Sequence, residues 1–309
     1  MDKSDARPLR SVLFAAGNNR EILDRAAASG ADSVVCDLEE PATPYPESER
    51  VNGRAVARAF FDAHDGQSQL LFARVQNPFT GQTTKDLHAV MGPSLAGILI
   101  PKVQGPADIH AADALLGCME VEYGLPFQSL VIYPVLETAQ ALRLAYEIAM
   151  ASPRVAYMGG ALSRFGDIHQ ALGFRWTAEG EETLFLRSKV LVDARAAGIR
   201  YPISGMWGGG RDDFDGLREW AVKLRILGYF GMMLGDPSHI ALVHEVFSPT
   251  AEEIAYWQDL DRLAAAAEGV STEPILYGDA SQGEGHEVHL AHVGSARKNL
   301  TWARDLGVL

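Results

Sequence analysis

Cysteine is almost absent from this chain: two in 309 residues, Cys36 and Cys118. A disulfide framework is thereby excluded. Both thiols are expected to be packing residues, Cys36 in an apolar strand-like run and Cys118 in a helix-like one. No apolar run approaches the ~20 residues that a bilayer span needs. The opening MDKSDARPLRS is polar and lacks the apolar centre of a signal peptide. Together these predict a cytoplasmic protein with no membrane partner. Basic residues are in deficit, 27 Lys and Arg against 40 Asp and Glu, for a formal charge of −13. That argues against a nucleic-acid partner, because phosphate binding needs basic patches. Several catalytic signatures are missing as well. The glycines at 208–210 lack the Lys-Ser/Thr of a P-loop and read as a flexible loop. The nine histidines show no HExxH and no pairing with cysteine at zinc spacing. No GxSxG elbow occurs, so nucleophilic serine or cysteine chemistry is disfavoured.

What the chain does have is a regular alternation. The segment LVIYPVLETA at 130–139 starts as an apolar, β-branched run and stops on an acid, Glu137. Such a run reads as a strand buried on both faces, the signature of a parallel sheet covered by helices. The AQALRLAYEIAM that follows reads as a helix. Similar strand candidates fall at 12–17, 33–40, 70–78, 97–103, 155–160, 201–207 and 229–237, with helical stretches between them. Eight strands alternating with helices predict closure into a (β/α)₈ TIM barrel.

The pattern changes after Pro249. PTAEEIAYWQDLDRLAAAAEG is an amphipathic helix with proline at its start and acids in its first turn. A Gly/Ser-rich stretch, STEPILYGDASQGEGHEVHL, leads to a last helix near 291–306. We therefore read 1–249 as the barrel and 250–309 as a C-terminal helical appendage.

Polar groups stand where the strands stop: Asp37, Glu39 and Glu40; Arg74; Lys102; Glu137; and Asp167 just past strand six. In a closed barrel they converge on the carboxyl-terminal rim, where barrel enzymes carry their chemistry. Any one of them alone is more often a surface charge or a structural ion pair. Two carboxylates with water and a bidentate oxygen ligand would suit Mg²⁺.

These residues resemble the citrate lyase β-subunit-like lyases of the HpcH/HpaI aldolase family. RSVLFAAGN is similar to the family's RS-x-LF-x-PGN, with Ala16 for proline. GADSVVCDLEE is similar to GAD-x-V-x-x-DLED, with Glu40 for the last aspartate. ARVQNP, IPKV and LETA resemble its R-x-N, PKV and ETA segments. DIHQALG resembles DLAADLG, and RSKVLVDARAAGI and FSPTAEEIAYW match later helices. Each motif is short; seven in order span nearly the whole chain.

The resemblance implies a barrel of the pyruvate/phosphoenolpyruvate superfamily that assembles as homotrimers or homohexamers. It implies Mg²⁺, or Mn²⁺ as the alternative, on Glu137 and Asp167. Arg74 would grip a substrate carboxylate or carbonyl, with Lys102 and Arg164 as further substrate-binding groups. Asp37 and Glu39 would tune the metal's waters. The reaction would be reversible carbon–carbon cleavage through a metal-stabilised enolate, giving a 2-oxo acid such as pyruvate or glyoxylate. Its partner substrate would be an acyl compound, with coenzyme A as part of it in malyl- or citramalyl-CoA-like cases. Aldol cleavage of free 4-hydroxy-2-oxo acids, a malyl-CoA-type thioesterase and a non-catalytic metabolite-binding barrel stay open as alternatives. The chain also departs from the family. Where a C-terminal aspartate would enter a neighbouring subunit's site as acid/base, it has His289, which can still move protons near neutral pH. Met232 and Asp236 replace a lysine and a histidine near strand eight. The loop before Asp167, which carries Arg164 and leads to His169, is lengthened.

Overall fold

Apolar residues along each strand alternate between two destinations. Val12, Val35, Phe72, Leu99, Val131, Tyr133, Val135 and Met233 pack into one buried cluster. Their neighbours in sequence, among them Leu13, Val34, Cys36, Leu71, Ile98, Ile132 and Leu136, join a second cluster with helix residues such as Leu23, Phe60 and Ile109. A period of two with both faces apolar means a sheet filled on the inside and covered on the outside.

The computed structural model describes residues 3–39, 45–66, 69–160, 164–268, 275–278 and 285–309. Glu40 lies outside them. The barrel strands are β1 (Ser11–Ala16), β2 (Ser33–Asp37), β3 (Leu70–Arg74), β4 (Leu95–Ile100), β5 (Val131–Leu136), β6 (Gly159–Gly160), β7 (Ile203–Ser204) and β8 (Gly231–Leu234). They form one parallel sheet in the order β6-β5-β4-β3-β2-β1-β8-β7. Among the described residues the ring is closed except at the β6/β7 seam, where no ladder joins the two strands. There the Ile203 N–H donates to the Met158 carbonyl at 3.3 Å. The seam strands approach closely: a Cβ on Gly159 would stand 2.6 Å from the Ile203 carbonyl oxygen.

The helices around the strands are α1 (Arg20–Ala27), α2 (Glu47–Ala63), α3 (Thr83–Val90), α4 (Pro106–Glu122), α5 (Ala139–Arg143), α6 (Ala145–Met150), α7 (Asp167–Leu172), α8 (Glu181–Ala196), α9 (Phe214–Leu227) and α10 (Ile240–Val246). Their starts are written in the sequence: the side chains of Asn19, Thr138 and Asp213 accept from backbone N–H groups of the first turn. The single helix expected over 139–150 is broken at Leu144 (φ −103°, ψ 24°), a residue with no helix-breaking chemistry of its own. The packing role expected for Cys118 is corrected. Cys36 is fully buried in β2, whereas Cys118 is exposed. It stands at helical spacing with the exposed Ala114 and Val121 on the outer face of α4.

The chain divides into two compact units, residues 1–247 and Ser248–Leu309. In the second, α11 (Ala251–Ala267) begins with a capping box: Thr250 Oγ1 accepts from the Glu253 N–H at 3.2 Å, and Glu253 Oε2 from the Thr250 N–H at 2.8 Å. The segment before α12 (Leu290–Asp305), read above as plain connection, contains a short antiparallel pair, β9 (Ile275–Tyr277) and β10 (His286–Val288). Three-residue strands with only Val288 buried leave no periodic signal to read.

Candidate active site

Parallel register builds the first part of the site. Asp37 ends β2, Arg74 ends β3, and the two are direct partners across the ladder. Their side chains leave the rim together and form a two-pronged pair, Nε to Oδ1 at 2.8 Å and a terminal nitrogen to Oδ2 at 2.5 Å. Glu39, two residues past Asp37, takes the other terminal nitrogen at 2.6 Å. The guanidinium carbon lies 5.0 Å from the centre of the Phe14 ring. Burial opposes the charge on Arg74. The hydrogen bond to Asp37 and the charges of Asp37, Glu39 and Glu137 outweigh it, so its pKa stays above the ordinary value. The turn after β1 requires glycine: a Cβ on Gly17 would meet the Asp37 carbonyl oxygen at 2.6 Å.

Lys102, just past β4, joins the second part. Its φ of 51° is in the left-handed region, which costs a non-glycine residue about 1–2 kcal/mol. That turn aims its backbone N–H at Glu137 Oε1, 2.7 Å away. Its ammonium is ion-paired with Glu39 and stands 3.5 Å from Asp167 Oδ2. Glu137 is only 5% exposed. Burial, and then the charge of Glu39, push its carboxyl up to about 7, against the pull of the Lys102 N–H and the charges of Arg74 and Lys102. Asp167 is the first residue of α7, with Gly166 as cap, and is partly exposed. Its charge faces the positive end of that helix.

Of the residues predicted from sequence, Asp37, Glu39, Arg74, Lys102, Glu137 and Asp167 thus form one connected cluster. Arg164 stands three residues before Asp167, over the rings of Phe165 (4.7 Å) and Trp176 (5.3 Å). His289 belongs to the second unit, where it is exposed at the cap of α12 and its ring is 5.5 Å from that of His292. Met232 is buried in β8, and Asp236 pairs with Arg211 at 2.5 Å. The sequence reading missed Phe14, Trp176 and Trp207. Aromatics at strand and loop ends (LFAAG, GFRW, SGMW) were the available signal. A cavity of about 260 Å³ opens beside Arg74, lined by Asp37, Glu39, Tyr45, Arg50 and Arg54 among others.

The donor set can be tested against a divalent ion. Among the described residues no group of three or more His, Cys, Asp or Glu is arranged to hold a metal alone. Glu137 and Asp167 would supply two carboxylates, with water and substrate oxygens completing the shell, as suits Mg²⁺. The elevated carboxyl of Glu137 fits as well, since a nearby cation would relieve its burial and the repulsion from Glu39.

A model of the HpcH/HpaI aldolase/citrate lyase family matches residues 10–237. A citrate lyase subunit β-like protein of Deinococcus radiodurans is 33% identical over 84% of this chain and 87% of its own. A (3S)-malyl-CoA thioesterase of Cereibacter sphaeroides is 29% identical over 81% and 80%. An L-malyl-CoA/β-methylmalyl-CoA lyase of that species is 28% identical over 88% and 89%. The solved CitE of Mycobacterium tuberculosis with magnesium, acetoacetate and coenzyme A superposes with a TM-score of 0.70 at 24% identity, over 96% of this chain and 98% of that one. The M. tuberculosis citrate lyase β subunit with oxaloacetate and magnesium gives 0.60 at 25% identity, over 81% and 100%.

Proposed function

Because the chain belongs to the HpcH/HpaI aldolase/citrate lyase family, we propose that it is a Mg²⁺-dependent carbon–carbon lyase. It would cleave or form a β-hydroxyacyl compound, a CoA thioester of the malyl or citramalyl kind, to give a 2-oxo acid. The observation that carries this reading is Glu137. A carboxylate pushed up to about 7 ends a barrel strand, tied through Lys102 to Asp167 and flanked by a fixed guanidinium. The relatives named as malyl-CoA/β-methylmalyl-CoA lyase and as citrate lyase β subunit with magnesium support it.

In this reading Glu137 and Asp167 hold the ion. When bound, it supplies Lewis-acid stabilisation of the charge that builds on an enolate oxygen. Arg74 is held at two nitrogens by Asp37 and at the third by Glu39, so it is already oriented before substrate arrives and loses little freedom on clamping a carboxylate. Asp37 and Glu39 keep it in place, and Lys102 balances the acids from the opposite side. His289 is proposed as the proton-transfer group.

A second reading, hydrolysis of a malyl-CoA-type thioester, is favoured by the similarity to the Cereibacter thioesterase. One assay separates them: malyl-CoA, citramalyl-CoA and free 4-hydroxy-2-oxo acids, each with Mg²⁺ and with EDTA. Metal-dependent release of a 2-oxo acid from a thioester supports the lyase. Release from free acids alone moves the chemistry to the aldolase type. Free thiol without oxo acid supports hydrolysis, and silence across the panel leaves the fold standing and rejects this substrate class.

A further inference from the structure

The glycine run Gly208–Gly210, which the sequence presents as a plain flexible loop, is fastened at both ends. It follows β7 on the carboxyl-terminal rim and leads to Asp213, whose side chain caps α9 by accepting from the Gly216 N–H at 2.9 Å. At its near end the loop wraps the Trp207 indole. A Cβ on Gly209 would stand 2.1 Å from that ring and one on Gly216 2.9 Å, so a side chain at either place would push the ring aside. The Trp207 Nε1–H donates to the Gly210 carbonyl at 3.3 Å, and the ring packs edge-on against Trp176, centres 5.5 Å apart. At its far end one residue, Arg211, ties the loop to the rim after β8. Its Nε meets Asp236 Oδ2 at 2.5 Å, and its carbonyl accepts from His239 Nε2 at 2.7 Å. Asp236 is itself fixed, since Oδ1 accepts from the Ser238 N–H at 2.9 Å and from the Ser238 hydroxyl at 2.7 Å. The departure at position 236 thereby acquires a partner, because a histidine there would offer Arg211 no carboxylate.

We propose that residues 208–211 form a lid on the β7–β8 side of the rim, and that the Arg211–Asp236 pair is its latch. Residues 205–213 have neither helix nor strand, and three successive glycines leave the backbone free to swing. The Arg211 side chain is 71% exposed. An exposed ion pair shifts an equilibrium only about two- to fivefold. That is too little to hold a fold, and the right size for a latch that must open. The path it controls runs past Trp207. Gly208 abuts the loop that leads to Asp167, where a Cβ would stand 2.9 Å from Arg164 Cβ and 2.5 Å from Trp176 Nε1. When Arg211 lets go, the Gly210 carbonyl leaves the indole, and the cover beside the Asp167 loop loosens. The lid does not depend on which reaction the site performs.

The test places a nitroxide spin label on the full-length protein at Gly210→Cys, in a Cys118→Ser background. Position 210 is exposed and has room for a Cβ, with Asp213 Cβ 3.7 Å away, and the remaining Cys36 is buried. Asp236→Asn keeps an oxygen to accept from Ser238 and removes the charge that holds Arg211. In this variant the mobile fraction of the label is expected to rise about two- to fivefold, with the melting temperature unchanged to within about 2 °C. Arg211→Gln should do the same, and the two substitutions together no more than either alone. Limited trypsin digestion is the second readout, because cleavage after Arg211 tracks the open population when opening is fast. Asp236→Asn should speed that cleavage by the same factor. A label already fully mobile without these substitutions overturns the proposal, as do a spectrum and cleavage rate unchanged in Asp236→Asn. So do additive effects of the two substitutions. Faster cleavage throughout the chain with a fallen melting temperature overturns it too, since the pair would then be a brace of the fold.

Discussion

The Lys102 N–H points at Glu137 Oε1 from 2.7 Å, and it does so because Lys102 adopts a left-handed φ of 51°. A residue on β4's end thereby fixes the acid on β5's end, while its ammonium reaches back to Glu39 and across to Asp167. One lysine links three of the four acids of the cluster by two different groups. Separating backbone from side chain is therefore the first experiment. Lys102→Gly and Lys102→Val both lose the ammonium, but only valine resists the left-handed conformation. We expect the valine variant to be less stable than the glycine variant by about 1–2 kcal/mol, measured by urea unfolding. Equal stability would show that the φ of 51° is not maintained.

Glu137→Gln should separate stability from function. The amide keeps the shape and removes a charge that burial and Glu39 both oppose. Thermal stability is therefore expected to stay level or rise. Mn²⁺ or Mg²⁺ binding by calorimetry should disappear, and kcat should fall by at least about 100-fold. Turnover at the wild-type rate would remove Glu137 from the metal site.

A second buried network shares no residue with the rim cluster. Arg154, fully buried, donates to Glu120 at 2.6 and 2.7 Å and to Asp113 at 2.6 Å, and Glu120 also accepts from the Gln128 and Leu130 N–H groups. Burial raises the carboxyl of Glu120, but these bonds outweigh it and hold it below its ordinary value. A depressed folded pKa means stability that is present above the unfolded value of about 4.3 and lost as pH falls through the folded one. Glu120→Gln should flatten that acid limb in a pH series of melting temperatures. Arg154→Met, which strands Glu120, should cost about 3–5 kcal/mol at neutral pH.

Gly97→Ala should cost about 3 kcal/mol or prevent folding. The added Cβ, on β4, would stand 2.3 Å from the carbonyl oxygen of Val131, its partner on β5. Soluble expression with an unchanged melting temperature would contradict this packing.

Most of the barrel could be read because its strands are long where they are apolar. VLFAAG, SVVCDLEE and LVIYPVLETA each carry both a strand and the polar residue that ends it. The rim cluster followed, since strand ends meet in any closed parallel barrel. Legibility faded where strands shrink: β6 and β7 are two residues each, and β9 and β10 gave no periodic signal. Partnerships across distance were hidden altogether. Nothing local joins Arg154 to Glu120, 34 residues away, and nothing in GCMEVE marks Cys118 as outward-facing, because the apolar Val121 shares its face.

The seam between β6 and β7 has a kinetic consequence. Ladder hydrogen bonds protect amides from exchange with solvent, and protection fails first where cooperative pairing is thinnest. The seam divides the strand leading to Asp167 from the strand leading to Trp207. In deuterium labelling, the amides of Gly159–Gly160 and Ile203–Ser204 should exchange well before those of Val34–Cys36. The β6/β7 side of the barrel is then expected to open first, while the five-strand arc β1–β5 carrying Asp37, Arg74 and Glu137 stays protected.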